Sequence, residues 1–479
     1  MVSSKKGNRF RLEKDFLGEK RVPAEAYYGI ETVRAIENFP ISGLRAHPSM
    51  VRATAMVKKA AAVANRDLGR LNRRMARAIV RACEEVIRGA LADQFVVDVF
   101  QMGAGTSFHM NVNEVIASRA AEILGGRRGD HRLVHPNDHV NLGQSTNDVY
   151  PTAMRLACRL MLDSHLLPEL GKLEGALREK GREFEPIVKS GRTHLQDAAP
   201  VKLGHEFKAY AASVSKCRRG ISGAGDGLLE LGIGGSAVGT GVNTAPGYRE
   251  AVIDSLSAQT GLRLRPAADL EESMQSLRPF VEVSASLRTL AVELTRIAND
   301  LRLLYSGPHT GLGEITVPAV APGSSIMPGK VNPSMLEMTN MVCYQVMGCD
   351  QAIAAAAQAG QLELNVMMPV VSFNLGFMIE ILGNALRELR RRCIAGITAN
   401  ADRCRDYAEK SLGLATVTSP RVGYACASEI AREAEKRNLT IRQILEEKGD
   451  FGPAEIREIL DLEKLSEPVA PGRKRRTRP

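Results

Sequence analysis

Residues 283–304 read VSASLRTLAVELTRIANDLRLL, and apolar side chains recur in this stretch at alternating intervals of four and three residues. The recurring positions are Val283, Leu287, Leu290, Leu294, Ile297, Leu301 and Leu304. This spacing places them on one face of an α-helix, as a heptad seam that has to pack against other helices. Gly307 and Pro308 follow directly and predict the end of the helix near Tyr305.

Two further stretches predict long helices. Leucines at 166, 170, 173 and 177 form a second seam, and residues 335–357 are rich in Ala and Met. Helices with apolar seams bury little surface alone, so we expect them to form a bundle within one subunit and between subunits. The predicted fold is mainly all-α, with a helical N-terminal domain (1–145), a central long-helix bundle (146–400) and a small C-terminal helical domain (401–479). Strand signals are few, and residues 94–100 predict at most a short hairpin arm.

Composition narrows the class of protein. The chain has 479 residues, no Trp and eight Cys without the spacing of a zinc site. Half of its net charge of +10 comes from the C-terminal residues Arg473, Lys474, Arg475, Arg476 and Arg478, which predict a disordered basic tail. No apolar run reads as long enough to cross a membrane, and the N-terminus lacks an apolar signal region. We therefore expect a cytoplasmic protein without a membrane partner.

Four polar clusters punctuate the helical pattern, and each reads as a loop. They are the first (103–111, GAGTSFHMN), the second (137–148, NDHVNLGQSTND), the third (190–197, SGRTHLQD) and the fourth (323–333, GSSIMPGKVNP). Each cluster alone could merely cap helices, because Ser, Thr, Asn and Asp are the preferred capping residues. Four clusters dominated by uncharged hydrogen-bond donors are typical of a pocket for carboxylates.

The fourth cluster carries the strongest functional signal. Its glycines and prolines predict a mobile loop that presents two hydroxyls, one cation and one amide. It is not a phosphate-binding loop, because five residues separate Gly323 from Gly329 and Val331 stands where Ser or Thr should follow Lys330. A serine here can act as a base only if its oxyanion is stabilised, and Lys330 with nearby backbone N–H groups could do this. The other clusters could then stabilise a carboxylate whose neighbouring carbon loses a proton.

The motifs resemble those of the aspartase/fumarase superfamily. Residues 323–332 match its pattern G-S-S-x-M-P-x-K-x-N, and further matches lie at 145–148, 191–197 and 235–241. The likeness extends from about residue 10 to about residue 449. Residues 11–18, 26–29 and 103–107 are more similar to the aspartase branch than to the class II fumarases, which typically have Ser at the positions of Ala104 and Thr146.

The resemblance implies reversible deamination of L-aspartate to fumarate and ammonia, by anti β-elimination through an enolate-like intermediate. The alternative is a fumarase that converts malate to fumarate and water. By position, Ser324 is the implied base, with His194 and Lys330 as further catalytic residues and Glu337 orienting Lys330. The implied substrate-binding residues are Thr106, Ser107, Ser145, Thr146, Asn147, Thr193, Ser325 and Asn332.

The resemblance also implies a homotetramer whose active sites are each built from three subunits, with no metal or organic cofactor. The chain departs from the family pattern at His109, where Asn is usual, at Met368, where aspartases often have Glu, and at Gly143. A structural histidine is the favoured interpretation of His109. A hypothesis of another class is a helical scaffold that binds nucleic acid through the basic tail, but such a scaffold has no use for four donor-rich clusters.

Overall fold

The computed structural model describes residues 10–467, and helices dominate it, which confirms the predicted all-α class. The basic run at 473–479 lies outside the described residues. The α-helices are α1 (Ile30–Asn38), α2 (Pro48–Asp67), α3 (Arg73–Ile87), α4 (Thr106–Ile123), α5 (Thr146–Met161), α6 (Leu167–Glu183), α7 (Leu203–Asp226), α8 (Tyr248–Thr260), α9 (Leu270–Gln275), α10 (Arg278–Tyr305), α11 (Ser334–Gln358), α12 (Met368–Arg392), α13 (Ala401–Lys410), α14 (Ala415–Val422), α15 (Tyr424–Arg437), α16 (Ile441–Lys448), α17 (Pro453–Ile459) and α18 (Leu462–Leu465).

Short strands accompany the helices and pair two by two. They are β1 (Phe10–Asp15), β2 (Gly18–Pro23), β3 (Val188–Thr193), β4 (Gln196–Lys202), β5 (Glu230–Leu231), β6 (Arg265–Pro266), β7 (Ile315–Thr316) and β8 (Thr398–Ala399). The pairs β1–β2, β3–β4 and β7–β8 are antiparallel, and β5–β6 is parallel. None of these pairs is large enough to form a core, so the helices supply it.

The heptad seam lies on α10, which ends at Tyr305 as predicted. Leu287, Leu290 and Leu301 on this seam are fully buried. The second seam is also buried and lies on a π-helical turn at 162–166 and on α6. The Ala- and Met-rich stretch forms α11. The three predicted long helices are therefore confirmed.

The chain divides into two compact units, each discontinuous in sequence. Within the described chain, unit 1 comprises residues 10–168, 217–291 and 342–384, and unit 2 comprises 169–216, 292–341 and 385–467. The long helices α10, α11 and α12 contribute residues to both units. The three-domain boundaries drawn from the sequence stay a prediction.

Unit 1 is built around α2, which packs against α3, α5 and α8. Ala53, Ala60 and Ala61 on α2 are completely buried, and their small side chains allow neighbouring helices to approach closely. The N-terminal strand pair β1–β2 precedes α1, whose first turn is capped by the buried Glu114 carboxylate of α4. This packing brings the starts of α4 and α5 into the same unit.

Unit 2 contains the β3–β4 hairpin and the C-terminal helices. The hairpin packs against α13, and Val188 of β3 belongs to an apolar cluster with side chains from α14 to α18. Lys202 of β4 also forms an ion pair with Glu467. The hairpin is thus anchored on the C-terminal helices.

Several local expectations were wrong. Residues 106–111 of the first cluster start α4, the second cluster contains a π-helical turn (136–140) and the start of α5, and the third cluster is a β-hairpin. Residues 94–100 form no hairpin arm, because Asn111 of α4 bonds to the backbone of Gln94 and Val96. Only an isolated bridge joins Asp98 to Arg45 in this segment. The fourth cluster alone is a loop throughout.

Among the described residues, one helix is long and apolar enough to cross a membrane by length and composition alone, where the sequence predicted no such run. It spans residues 368–396 and contains an 18-residue window with a mean hydropathy of 1.4. Within the structure, 56% of that window is buried. Leu375, Met378 and Ile379 of α12 are completely buried, as in a core helix.

Candidate active site

The fourth polar cluster places Ser324 in a distinctive hydrogen-bond environment. Its Oγ accepts hydrogen bonds from the backbone N–H of Ile326 at 3.2 Å and of Met327 at 3.0 Å. Donors of this kind stabilise negative charge on an oxygen and therefore favour the deprotonated hydroxyl. Ser324 is half-buried, and Ile326 beside it is 84% exposed. The loop thus presents a hydroxyl whose oxygen already accepts two backbone hydrogen bonds, and its role as a base stays a prediction.

The base of this loop is fixed by three hydrogen bonds. The Gly323 N–H donates to the Lys330 carbonyl at 2.9 Å, Asn332 Nδ2 donates to the Gly323 carbonyl at 2.6 Å, and the Tyr305 hydroxyl donates to the Val331 carbonyl at 3.0 Å. A Cβ on residue 323 would lie 2.4 Å from the Lys330 carbonyl oxygen, so only glycine fits. The two ends of the loop are therefore held together, and the mobility of its tip stays a prediction.

Lys330 and Asn332 line a cavity of about 670 Å³ within unit 2, together with Glu337, Asn299 and Arg302. Among the described residues Lys330 has no ion-pair partner, so its ammonium group is available to an anionic ligand. The structure records no ion pair between Lys330 and Glu337, and the orienting role of Glu337 stays a prediction. Ser325 is exposed on the loop tip.

The third cluster forms the tip of the β3–β4 hairpin. Thr193 is the last residue of β3 and pairs with Gln196, and His194 and Leu195 form the two-residue turn between them. Both turn residues have positive φ, 55° for His194 and 58° for Leu195, as a type I′ turn requires. Such backbone strain in residues other than glycine is concentrated at functional sites. Thr193 and His194 are both exposed.

A buried carboxylate forms ion pairs with strand β3 of the hairpin. Glu314 is completely buried and forms ion pairs with Lys189 at 2.9 Å and with Arg192 at 2.8 Å. Lys189 forms a second ion pair with Glu206. Because one carboxylate pairs with two cations of β3, we expect it to help fix the position of Thr193 and His194.

The first and second clusters place their hydroxyls at helix N-termini in unit 1. Thr106 and Ser107 open α4, Ser145 is the N-cap of α5, and Thr146 and Asn147 open α5. The N-terminus of a helix attracts anions, because its first N–H groups are unpaired and its dipole is positive there. A capping box between Ser145 and Asp148 fixes the start of α5.

Close packing brings these two helix starts together. A Cβ on residue 105 would lie 2.2 Å from the Tyr150 ring, so Gly105 is needed to let the turn before α4 approach α5. His109 Nδ1 of α4 lies 2.6 Å from Thr146 Oγ1 of α5. Unit 1 thus combines the predicted donors Thr106, Ser107, Ser145, Thr146 and Asn147.

Comparisons with known proteins identify the family of the chain. A family model described as Lyase matches residues 18–348, and one described as Fumarase C C-terminus matches residues 414–467. The chain belongs to this lyase family. Its membership of the aspartase/fumarase superfamily, inferred above from motifs, is thereby confirmed.

Individual relatives of this lyase cover almost its whole length. An aspartate ammonia-lyase from Bacillus subtilis (strain 168) is 46% identical over 97% of this chain and 98% of its own, and one from Pseudomonas canavaninivorans is 47% identical over 96% and 97%. A crystal structure of a class II fumarase from Schistosoma mansoni superimposes with a TM-score of 0.93 at 37% identity, over 96% of this chain and 99% of its own.

The glycine-rich segment 232–241 of the lyase supports the start of α5. Asn147 Nδ2 donates to the Ala237 carbonyl at 2.8 Å, and the Asp148 carboxylate accepts from the N–H groups of Gly234 and Ser236. Asp148 is completely buried, and this burial raises the pKa of its carboxyl group to about 6. The sequence motif at 235–241 was recognised, but its contacts were not.

A buried cation was missed altogether. Lys58 on α2 is completely buried, and its ammonium donates to Asn141 Oδ1 at 2.8 Å and Gln144 Oε1 at 2.9 Å in the second cluster. Desolvation lowers the pKa of Lys58 to about 7, against the opposing effect of Asp148. The available signal was a pair of lysines, Lys58 and Lys59, inside the Ala-rich stretch 53–64.

Proposed function

We propose that this protein catalyses the reversible deamination of L-aspartate to fumarate and ammonia. Ser324 takes the proton from Cβ, the pair of electrons passes into the β-carboxylate as an enolate-like dianion, and ammonia leaves from Cα on the opposite face. The family match and the names of the curated relatives support a carbon–nitrogen lyase. The observation that carries the mechanism is the pair of backbone N–H donors on Ser324 Oγ.

Different residues of the polar clusters bind the two carboxylates of the substrate. Thr106, Ser145, Thr146 and Ser325 bind the β-carboxylate, with Ser107 beside them, and the helix N-termini of α4 and α5 favour its growing charge. Thr193, Lys330 and Asn332 bind the α-carboxylate, with His194 nearby. Asn147 lies close to the leaving amino group. The complete site takes these clusters from three subunits of a homotetramer.

Replacing Ser324 by Ala tests the assignment of the base. We expect kcat for aspartate to fall by roughly 10²–10⁴-fold, because a general base contributes about that factor. Ser286→Ala is a matched control, since within the described part of the chain the Ser286 hydroxyl donates to the Val283 carbonyl of its own helix and has no other partner. It should keep the rate of the parent. Retention of the full rate by Ser324→Ala would remove Ser324 from its role.

A second candidate function is the hydration of fumarate to malate. The close superposition on the class II fumarase from Schistosoma mansoni favours it. An assay that follows fumarate absorbance with aspartate and malate side by side separates the two reactions. Turnover of malate without turnover of aspartate would select the fumarase.

The compartment is part of the same proposal. We place the enzyme in the cytoplasm, where thiols stay reduced. All eight cysteines are free thiols, and seven of them are buried. This pattern is what a protein of a reducing compartment needs, and it supports the location expected from the sequence.

A further inference from the structure

His109 lies directly behind the proposed carboxylate-binding hydroxyl of Thr146. The imidazole is only 1% exposed, and its Nδ1 lies 2.6 Å from Thr146 Oγ1. Its other ring nitrogen, Nε2, is buried and has no hydrogen-bond partner among the described residues. Thr146 is half-buried at the first position of α5. Its hydroxyl therefore lies between the buried imidazole and the partly exposed N-terminus of α5.

A neutral imidazole carries one ring hydrogen, and two arrangements of this pair are possible. If Nε2 carried the hydrogen, Thr146 would donate to Nδ1 and a buried N–H would have no acceptor. If Nδ1 carries it, Nδ1–H donates to Thr146 and Nε2 is left as a bare acceptor. Orphaned buried N–H groups are rarer in proteins than underused acceptors, so the second arrangement is favoured.

The surroundings keep the ring neutral. Burial lowers the pKa of His109 well below its usual value, and the positive charge of Lys58 on α2 acts in the same direction. On α5, the side of the ring that faces Thr146 meets an uncharged hydroxyl. A doubly protonated ring, which would donate from both nitrogens, is thereby disfavoured.

We propose that His109 is a positioning residue whose Nδ1–H donates to Thr146 and so directs the Thr146 hydroxyl hydrogen toward the β-carboxylate of the substrate. The inference rests on the proposed function, in which Thr146 stabilises the dianion formed from that carboxylate. A hydroxyl that accepts from His109 cannot turn its own hydrogen toward the ring. The Thr146 O–H is therefore oriented toward the β-carboxylate before the substrate binds. Its stabilising effect increases as negative charge develops on that carboxylate.

A double-mutant cycle on aspartate turnover tests this coupling. We expect His109→Leu, which removes the donor, to lower kcat by roughly 10–100-fold with little change in KM. This is the size of effect typical of residues that orient a metal-coordinating side chain, which likewise act through another residue. His109→Asn keeps an N–H donor and should stay within about five-fold of the parent. On a Thr146→Val background, His109→Leu should cause no further loss, since there is no hydroxyl left to direct.

Thr152→Val is the matched control on α5. Thr152 is as deeply buried as His109. Its Oγ1 has no hydrogen-bond partner among the described residues, so this change should preserve turnover. Losses from His109→Leu and Thr146→Val that multiply independently would overturn the proposal. The proposal would also be overturned by a His109→Asn variant that melts like the parent but loses roughly 10-fold or more of its turnover. This second test remains valid if His109→Leu does not fold. A parent that does not turn over aspartate contradicts the proposed function instead.

Discussion

Lys58 is the residue for which a dependence of stability on pH is expected. Its ordinary pKa is 10.5, and burial lowers it to about 7 in the folded protein. Between these values the unfolded chain holds a proton that the folded chain lacks, so unfolding takes up a proton. Raising the pH from about 7 toward about 10 should therefore increase the contribution of Lys58 to the free energy of unfolding, by at most ~1.4 kcal/mol per pH unit. The buried thiols of Cys83, Cys158, Cys393 and Cys404, whose pKa burial raises to about 12, act in the opposite direction over this range, so the contribution of Lys58 is read from a comparison with a variant that lacks it.

Denaturant titrations at about pH 7.5 and about pH 9, at one protein concentration, measure this slope. Lys58→Met is the comparison, because it lacks the titrating group. The variant also leaves Asn141 and Gln144 without their donor, so only the difference in slope is informative. Asp148 titrates at about 6 in the folded protein, below this window. Equal slopes in the two proteins would contradict the prediction.

Residue type predicted a pocket for carboxylates, and the family resemblance then assigned individual residues to it, but neither found the buried supports. The resemblance assigned roles to Thr146 and Asn147 in the second cluster, which is rich in hydroxyls and amides. Lys58 did not, since a lysine in a helical stretch is normally solvated and its partner Asn141 is 83 residues away in the chain. His109 was favoured as a structural histidine, and the sequence did not predict that its Nε2 would have no hydrogen-bond partner among the described residues.

At the scale of elements, the β3–β4 hairpin depends on the buried ion pairs of Glu314. We expect Glu314→Gln to destabilise the protein by about 3 kcal/mol, because it leaves two cations of β3 with too little negative charge. The change should also lower aspartate turnover, since Thr193 and His194 lie at the end of this hairpin. Thermal melting and the aspartate assay measure the two effects.

Glu409→Gln provides the control for that experiment. Its ion pair with Arg405 joins side chains that are 55% and 62% exposed. Exposed pairs contribute about 0–1 kcal/mol, so this variant should melt close to the parent. A Glu314→Gln variant that melts like Glu409→Gln would show that the hairpin does not need the buried carboxylate.

The sequence predicted helices better than this hairpin for a physical reason. The seam on α10 repeats through Leu287, Leu290 and Leu294. This spacing can be recognised in the sequence without knowing how the helix packs. The hairpin turn is His194-Leu195, although type I′ turns favour Asn-Gly or similar pairs. Tertiary contacts of the hairpin hold this turn in its strained backbone conformation, and such contacts cannot be read from the local sequence.

For the whole molecule, the long helices leave apolar side chains exposed in the single chain. Val292 on α10 and Met341 and Tyr344 on α11 are each more than half exposed. Large apolar side chains that are exposed along bundle helices are typical of surfaces that pack against another subunit. They support the proposed homotetramer, in which several subunits contribute to each active site.

Mixing two inactive variants tests this shared site. We expect Ser324→Ala and Thr146→Val each to be strongly impaired, because each removes one part of every site. If subunits are dissociated, mixed in equal amounts and reassembled, random assortment should give about one quarter of the sites both an intact Ser324 and an intact Thr146. The mixture should therefore recover activity well above either variant alone, as measured with aspartate.

The matched control mixes Ser324→Ala with Lys330→Ala. Both changes lie in the fourth cluster, so every copy of that loop carries one of them, and assortment cannot restore a complete loop. This mixture should stay inactive. If the first mixture also stays inactive after its subunits have exchanged, Ser324 and Thr146 of one site come from the same chain. Recovery in the first mixture alone requires that they come from different subunits.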